Sequence, residues 1–147
     1  MQFPSVEWFE ALTARVNDDE ETFRRLGWCD ADVRVDVRQG AATRSFVIAF
    51  RDYGCESVRE LESGASPAVD FALAADHEVW REMLENIREH GQADLEHTLN
   101  FLQLPGTVEL VAEDQGQADI FYRFNQTFQE FFNASAGIPT EFAVPVA

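Results

Sequence analysis

The sequence predicts one mixed α/β domain, on three observations. Val33, Val35 and Val37 alternate with Arg34, Asp36 and Arg38, and Phe46, Ile48 and Phe50 alternate with Val47 and Ala49, the two-residue period of strands with one buried face. Val79, Trp80, Met83, Leu84 and Ile87 fall within about 140° of a helical wheel, and Phe121, Phe124, Phe128, Phe131 and Phe132 within about 100°. The chain has 147 residues, 46% of them apolar and 12% aromatic, which suits a single domain with one sizeable core.

Ser5 is placed to cap a first helix, with Glu7 and Glu10 in its opening turns and Phe9, Leu12 and Val16 as its apolar stripe. Asp18 with Glu21 has the capping-box form, and Phe23 and Leu26 precede Gly27, a helix stop. Residues 1–29 therefore read as a helical extension packed over the outside of a core spanning 30–133. Turn material at Gln39-Gly40-Ala41-Ala42 joins the first two strands. A third strand follows the Tyr53-Gly54 break over 55–61, and Val69, Phe71 and Leu73 mark a fourth. Asp76 caps the Trp80 helix, which Gly91 ends, and a shorter helix from Asp94 carries Leu95, Leu99 and Leu102 as far as Pro105-Gly106. Val108, Leu110 and Ala112 form a fifth strand before the phenylalanine-rich closing helix. Residues 134–147 hold Pro139 and Pro145 and read as an extended apolar tail.

Charge narrows the function classes. Twenty-seven acids face eleven bases, a net charge of −16 at pH 7. Every base is arginine, so lysine Schiff-base chemistry is excluded. A field of that sign repels phosphate backbones and anionic membranes, and no nucleic acid is expected as a partner. No apolar run approaches the roughly 18 residues of a membrane span, so stable insertion is not expected either. The first residues lack the basic-then-apolar pattern of an export signal, and a cytoplasmic location is the expectation. An acidic solvated surface, typical of a GC-rich or salt-adapted host, is favoured over an acidic docking site. Cys29 and Cys55 form no C-x-x-C pair and read as reduced, semi-buried thiols.

The residues offer no catalytic constellation. His77-Glu78-Val79-Trp80-Arg81 has arginine where a zinc-protease helix needs its second histidine. Glu89-His90 and Glu96-His97 are separated by Gly91, and solvated helix-end histidines explain them better than a metal site. No nucleophile elbow, phosphate loop or dinucleotide fingerprint is present. Asp36 and Asp70 lie opposite the apolar residues of their strands, on a solvated face. No catalytic residue, metal or cofactor is expected. What stands out is the thirteen phenylalanines. They form either a dense core or the wall of a cavity, because large rings on one helix facing a sheet of Val and Ala interdigitate poorly.

The succession of motifs resembles the sterol carrier protein-2 lipid-transfer domain family. The residues that carry the likeness are the strand pair Val33–Arg38 and Ser45–Phe50, and the strand-into-helix junction Ala68–Trp80. Gly91, then Phe101-Leu102-Gln103, Gly106–Leu110 and the Phe121–Phe132 helix complete it. Leu104-Pro105 and Ala112-Glu113-Asp114 depart from the family pattern near the expected ligand entrance, and the Asp76 helix is longer. The resemblance implies an α/β fold with a curved five-stranded, mostly antiparallel sheet, helices on one face, and an enclosed apolar cavity. Its sheet wall would be Phe46, Ile48, Phe50, Phe71 and Leu73. Trp80, Leu84, Leu99 and Leu102 would supply one helix wall, and Phe121, Phe124 and Phe128 the closing helix. The implied function is non-catalytic carriage of a fatty acyl, sterol-like or isoprenoid ligand. Two other readings stand beside it. In one, the phenylalanine stripe is a protein interface, for a partner or in a homodimer. In the other, the chain is a small cavity enzyme with Asp70, His77 or His97 as base.

Overall fold

The computed structural model describes residues 1–104 and 106–142. Along the chain lie β1 (Gln2–Phe3), α1 (Val6–Asp18), α2 (Glu20–Leu26), β2 (Ala31–Gln39), β3 (Ala42–Arg51), β4 (Gly54–Glu60) and β5 (Phe71–Asp76). They are followed by α3 (His77–His90), a 3-10 turn at Leu95–His97, α4 (Leu99–Gln103), β6 (Glu109–Val111), α5 (Gln115–Arg123) and α6 (Asn125–Asn133). A second 3-10 turn at Ala134–Gly137 leads to β7 (Glu141–Phe142). Pro105, and positions 143–147 of the expected tail with Pro145 among them, lie outside the described residues.

The main sheet runs β4-β3-β2-β5-β6. All its pairings are antiparallel except β2 with β5, where the chain crosses over, and the sheet stays open. The alternation read from the sequence sets its faces. Val33 pairs with Ile48 and Phe71, and Val35 with Phe46 and Leu73, so large apolar side chains gather on one side. Gly40, at φ 62°, opens the two-residue turn of the β2–β3 hairpin, a conformation glycine adopts without steric penalty. Helices α1, α3, α5 and α6 pack against the apolar face.

The front of the chain contributes one face of α1 and Phe3 to the core, while most of α2 stays exposed. Phe3, Trp8, Phe9, Leu12 and Val16 are all fully buried. Asn17 at the end of α1 clamps the edge strand: its side-chain amide donates to the Cys55 carbonyl at 2.9 Å and accepts from the Cys55 N–H at 2.8 Å. This side chain does for β4 what another strand would do. Asn17→Ala is expected to destabilise the fold by about 2 kcal/mol, roughly one for each hydrogen bond lost at a part-buried edge. A urea unfolding midpoint unchanged from wild type would contradict the clamp.

Three other expectations need correction. The closing helix is two helices, because Phe124 leaves the helical region at φ −114° and ψ 21°. The Asn125 side chain donates to the Tyr122 carbonyl at 2.8 Å, competing for an acceptor within the helix. The helix expected from Asp94 is likewise divided by Thr98, whose extended backbone and hydroxyl cap α4. The described part of the tail, residues 134–142, begins with a 3-10 turn and then pairs β7 in parallel with β1, Gln2 beside Glu141 and Phe3 beside Phe142.

Candidate functional site

The core beneath α5 and α6 is aromatic. Phe71 of β5 meets Phe121 with ring centroids 5.7 Å apart and Phe128 at 5.2 Å. Phe50 of β3 meets Phe128 at 5.1 Å and Phe131 at 5.2 Å. Phe121 and Phe128 stack across the α5–α6 joint at 6.0 Å. These are contact distances, so these rings pack directly on one another between the sheet and the helices. Of the twelve residues expected to wall a cavity, Phe50, Phe71, Phe121 and Phe128 form this cluster. Phe46 instead faces Phe9 of α1 at 4.7 Å, and Trp80 stacks on Phe132 at 5.3 Å. Trp80 also donates its indole N–H to the Asp36 carbonyl at 3.0 Å. Ile48, Leu73, Leu84 and Leu99 are buried, while Leu102 and Phe124 are half-buried against the core. Phe9, in the apolar stripe of the first helix, is not among the expected wall residues because that stripe shows no partner in the sequence.

The two closing helices are anchored very differently. Helix α6 buries Thr127, Phe128, Gln129, Phe131, Phe132 and Asn133. Its buried amides also tie it to the preceding segment. Gln129 accepts from the Leu99 N–H at 2.7 Å and donates to Asn133, which accepts from the Ala93 N–H at 3.1 Å. Helix α5 fully buries Phe121 alone. Its polar link to α4 is the exposed Tyr122 hydroxyl, which donates to Gln103 at 3.2 Å.

Two open clefts border α5. One, of about 590 Å³, lies towards α4 and is lined by Gln103, Val108, Leu110, Ala118 and Tyr122 among others. The second, of about 400 Å³, sits where β5 and β6 part. Its lining includes Arg34, the Ser66–Val69 segment, Phe71, Ala72, Val111, Ala112, Glu113 and Gln117. Phe71 alone of the twelve expected wall residues borders either cleft. Nothing in the sequence pointed to Arg34 here, since its alternation with valines places it simply on the solvated face.

The polar residues singled out for chemistry are dispersed. His77 is buried and packs between Phe3 and Phe142 at ring distances of 6.1 and 6.3 Å. Neither of its ring nitrogens has a hydrogen-bond partner among the described residues. The Asp70 carboxylate accepts from the Asp32 N–H at 2.7 Å, and Asp36, itself buried, pairs with Arg34. Asp76 begins α3 without a side-chain cap, its carboxylate turned to Arg38 at 2.9 Å. Cys29 and Cys55 are free and buried; burial pushes the Cys29 thiol up to about 12, with Asp30 acting in the same direction, and burial also raises Cys55. Neither is a thiolate nucleophile at neutral pH. Among the described residues no cluster of histidine, cysteine and carboxylate could hold a metal.

His97 belongs to a surface clasp. Asp94 approaches its Nδ1 at 2.6 Å and Glu82 its Nε2 at 3.3 Å, while Asn86 donates to the other Asp94 oxygen at 2.8 Å. The Asp94 hydrogen bond, helped by Glu82, holds the imidazole above its ordinary value of 6.5. The same hydrogen bond, then that of Asn86, holds Asp94 below 3.8. A raised histidine stabilises below its unfolded value and is lost as pH rises through the folded one; a lowered carboxylate does the reverse. The clasp therefore contributes fully between 3.8 and 6.5 and weakens on either side. In an NMR titration the His97 ring should titrate above 6.5, and Asp94→Asn should bring it back down. An unaltered midpoint in that variant would contradict the pairing.

No family model and no curated protein matches the chain. Solved structures do. A crystal structure of sterol carrier protein 2 superposes with a TM-score of 0.71 at 18% identity, covering 92% of this chain and 98% of that one. A solution structure of a conserved hypothetical protein from Thermus thermophilus, described as possibly a sterol carrier protein, gives 0.70 at 17% identity, over 93% and 90% of the two chains. The apo form of sterol carrier protein 2 from Yarrowia lipolytica gives 0.52 at 12% identity, over 88% and 89%. The chain has the sterol carrier protein 2 fold.

Proposed function

We propose that this sterol carrier protein 2-like chain is a non-catalytic carrier that takes an apolar or amphipathic ligand beneath α5. The observation that carries the reading is the unequal anchoring of the closing helices. Helix α5 lies over the Phe71–Phe121–Phe128 cluster, is fastened by one fully buried side chain, and borders an open cleft along its α4 side and a second at Gln117 in its first turn. The rings are in contact in the form described, so a ligand chain would enter by displacing α5 and replacing ring–ring contacts with its own. Each methylene removed from water contributes about 0.8 kcal/mol, so a ten-carbon chain gains roughly 8 kcal/mol before the cost of moving the helix. A cost of a few kcal/mol still leaves binding between micromolar and millimolar, adequate for exchange. The dispersal of Asp70, His77 and His97 favours carriage over catalysis. The burial of Phe121, Phe128, Phe131 and Phe132 within the chain's own core leaves those four rings no part in a dimer interface. Protein equilibrated with a millimolar amphiphile, then extracted and measured by mass spectrometry, should carry it at substantial occupancy and melt at a higher temperature. Protein that carries none, and whose melting temperature ignores added lipids, would overturn the proposal.

A further inference from the structure

The cleft where β5 and β6 part joins two different chemistries. The strands stay paired from Ala74 and Glu109 to Ala72 and Val111, and then diverge. Arg34 stands beside Ala72 on the outer face of the sheet, while the neighbouring Phe71 points inward to Phe121 and Phe128. A guanidinium and Phe71, one ring of the aromatic cluster, thus border one opening of about 400 Å³. Arg34 donates to both Asp36 oxygens through Nε alone, at 3.1 and 3.2 Å, so among the described residues its two terminal nitrogens are unengaged. They are donors, but they carry no spare charge: Asp36 already neutralises the guanidinium. The other charged group on the lining, Glu113, has no cationic partner among the described residues.

We infer that the ligand is a single-chain or ring amphiphile with an uncharged oxygen head (a hydroxyl, ester or ketone) that accepts from Arg34 while its apolar body passes Phe71 beneath α5. This rests on the carrier reading above and adds the class of head group to it. A carboxylate or phosphate head would place a further anion beside Asp36 and Glu113, in a partly desolvated cleft of a protein of net charge −16. A cationic head would lie against the guanidinium and leave its terminal donors unmatched. A neutral acceptor satisfies the donors and adds no charge.

Twelve-carbon probes competing for a bound fluorescent apolar reporter at pH 8 test this. Dodecanol and methyl dodecanoate should bind at least tenfold tighter than dodecanoate or dodecylammonium. Arg34→Gln should weaken dodecanol severalfold and leave dodecane unchanged, a distinction that a merely structural role for Arg34 would not produce. Glu113→Gln, at an exposed position, should tighten dodecanoate about threefold without altering dodecanol. Equal or tighter binding of either ionic probe would overturn the head-group assignment and leave the carrier reading standing, as would equal weakening of dodecanol and dodecane. Failure of every probe, dodecane included, would overturn both.

Discussion

Phe128→Ala is expected to lower the stability of the whole domain by about 3–5 kcal/mol, a large share of the ~5–15 kcal/mol that holds a domain of this kind together. The reason is its position. The ring touches Phe50 of β3, Phe71 of β5 and Phe121 of α5, so its removal opens a void at the meeting point of two strands and two helices. The surrounding elements have little freedom to collapse into that void, because α6 is pinned by the Gln129 and Asn133 amides as well as by its rings. Denaturant unfolding followed by both tryptophan fluorescence and circular dichroism checks this. A loss below about 1 kcal/mol would mean the cluster is not the tight core that these contacts describe.

Phe121→Asp should give a different and more local result. Phe121 is the one fully buried side chain of α5. A carboxylate there cannot stay against Phe71 and Phe128 without a partner, so α5 should undock and carry the charge to water. The amides of α5 should then exchange near their unprotected rates while those of β2, β3 and α6 stay protected, the pattern of a sub-global unit that opens alone. Apolar reporter binding should fall at least a hundredfold, because the undocked helix no longer covers the ligand. Loss of protection across the whole chain would show α5 to be an inseparable part of the core. Unchanged reporter binding would place the ligand elsewhere.

The sheet was the most legible part of the sequence. The alternation of Val33, Val35 and Val37 with Arg34, Asp36 and Arg38 specifies both strand and face, and the pairing with Phe46 and Ile48 follows from a two-residue turn at Gly40. The Trp80 helix was legible for the same reason: its apolar stripe is uninterrupted and Gly91 ends it in the left-handed conformation. The closing segment misled because a helical wheel measures angular spacing and is blind to a break. Phe121 and Phe128 keep nearly the expected relation across the joint, although Phe124 between them is not helical. The buried stripe of α1 was legible but its partners were not, because Phe46 and the edge of β4 lie thirty and more residues away. The burial of His77 is not legible locally, because nothing near it in the sequence shows that Phe3 of β1 and Phe142 of β7 close over it. Of the expected wall residues, Phe50, Phe71, Phe121 and Phe128 meet one another, a contact that no spacing in the sequence shows, since packing density is a property of three dimensions.

The carrier account turns on one physical relation: an apolar chain can exchange places with the aromatic contacts beneath a weakly fastened helix. Intermolecular NOEs between the methylene protons of bound dodecanol and ring protons of the protein test that relation most directly. The account predicts contacts from the chain to Phe71, Phe121 and Phe128, with α5 resonances shifting more than those of α6. Contacts confined to exposed residues such as Leu104 and Trp28, with the buried rings unaffected, would contradict it.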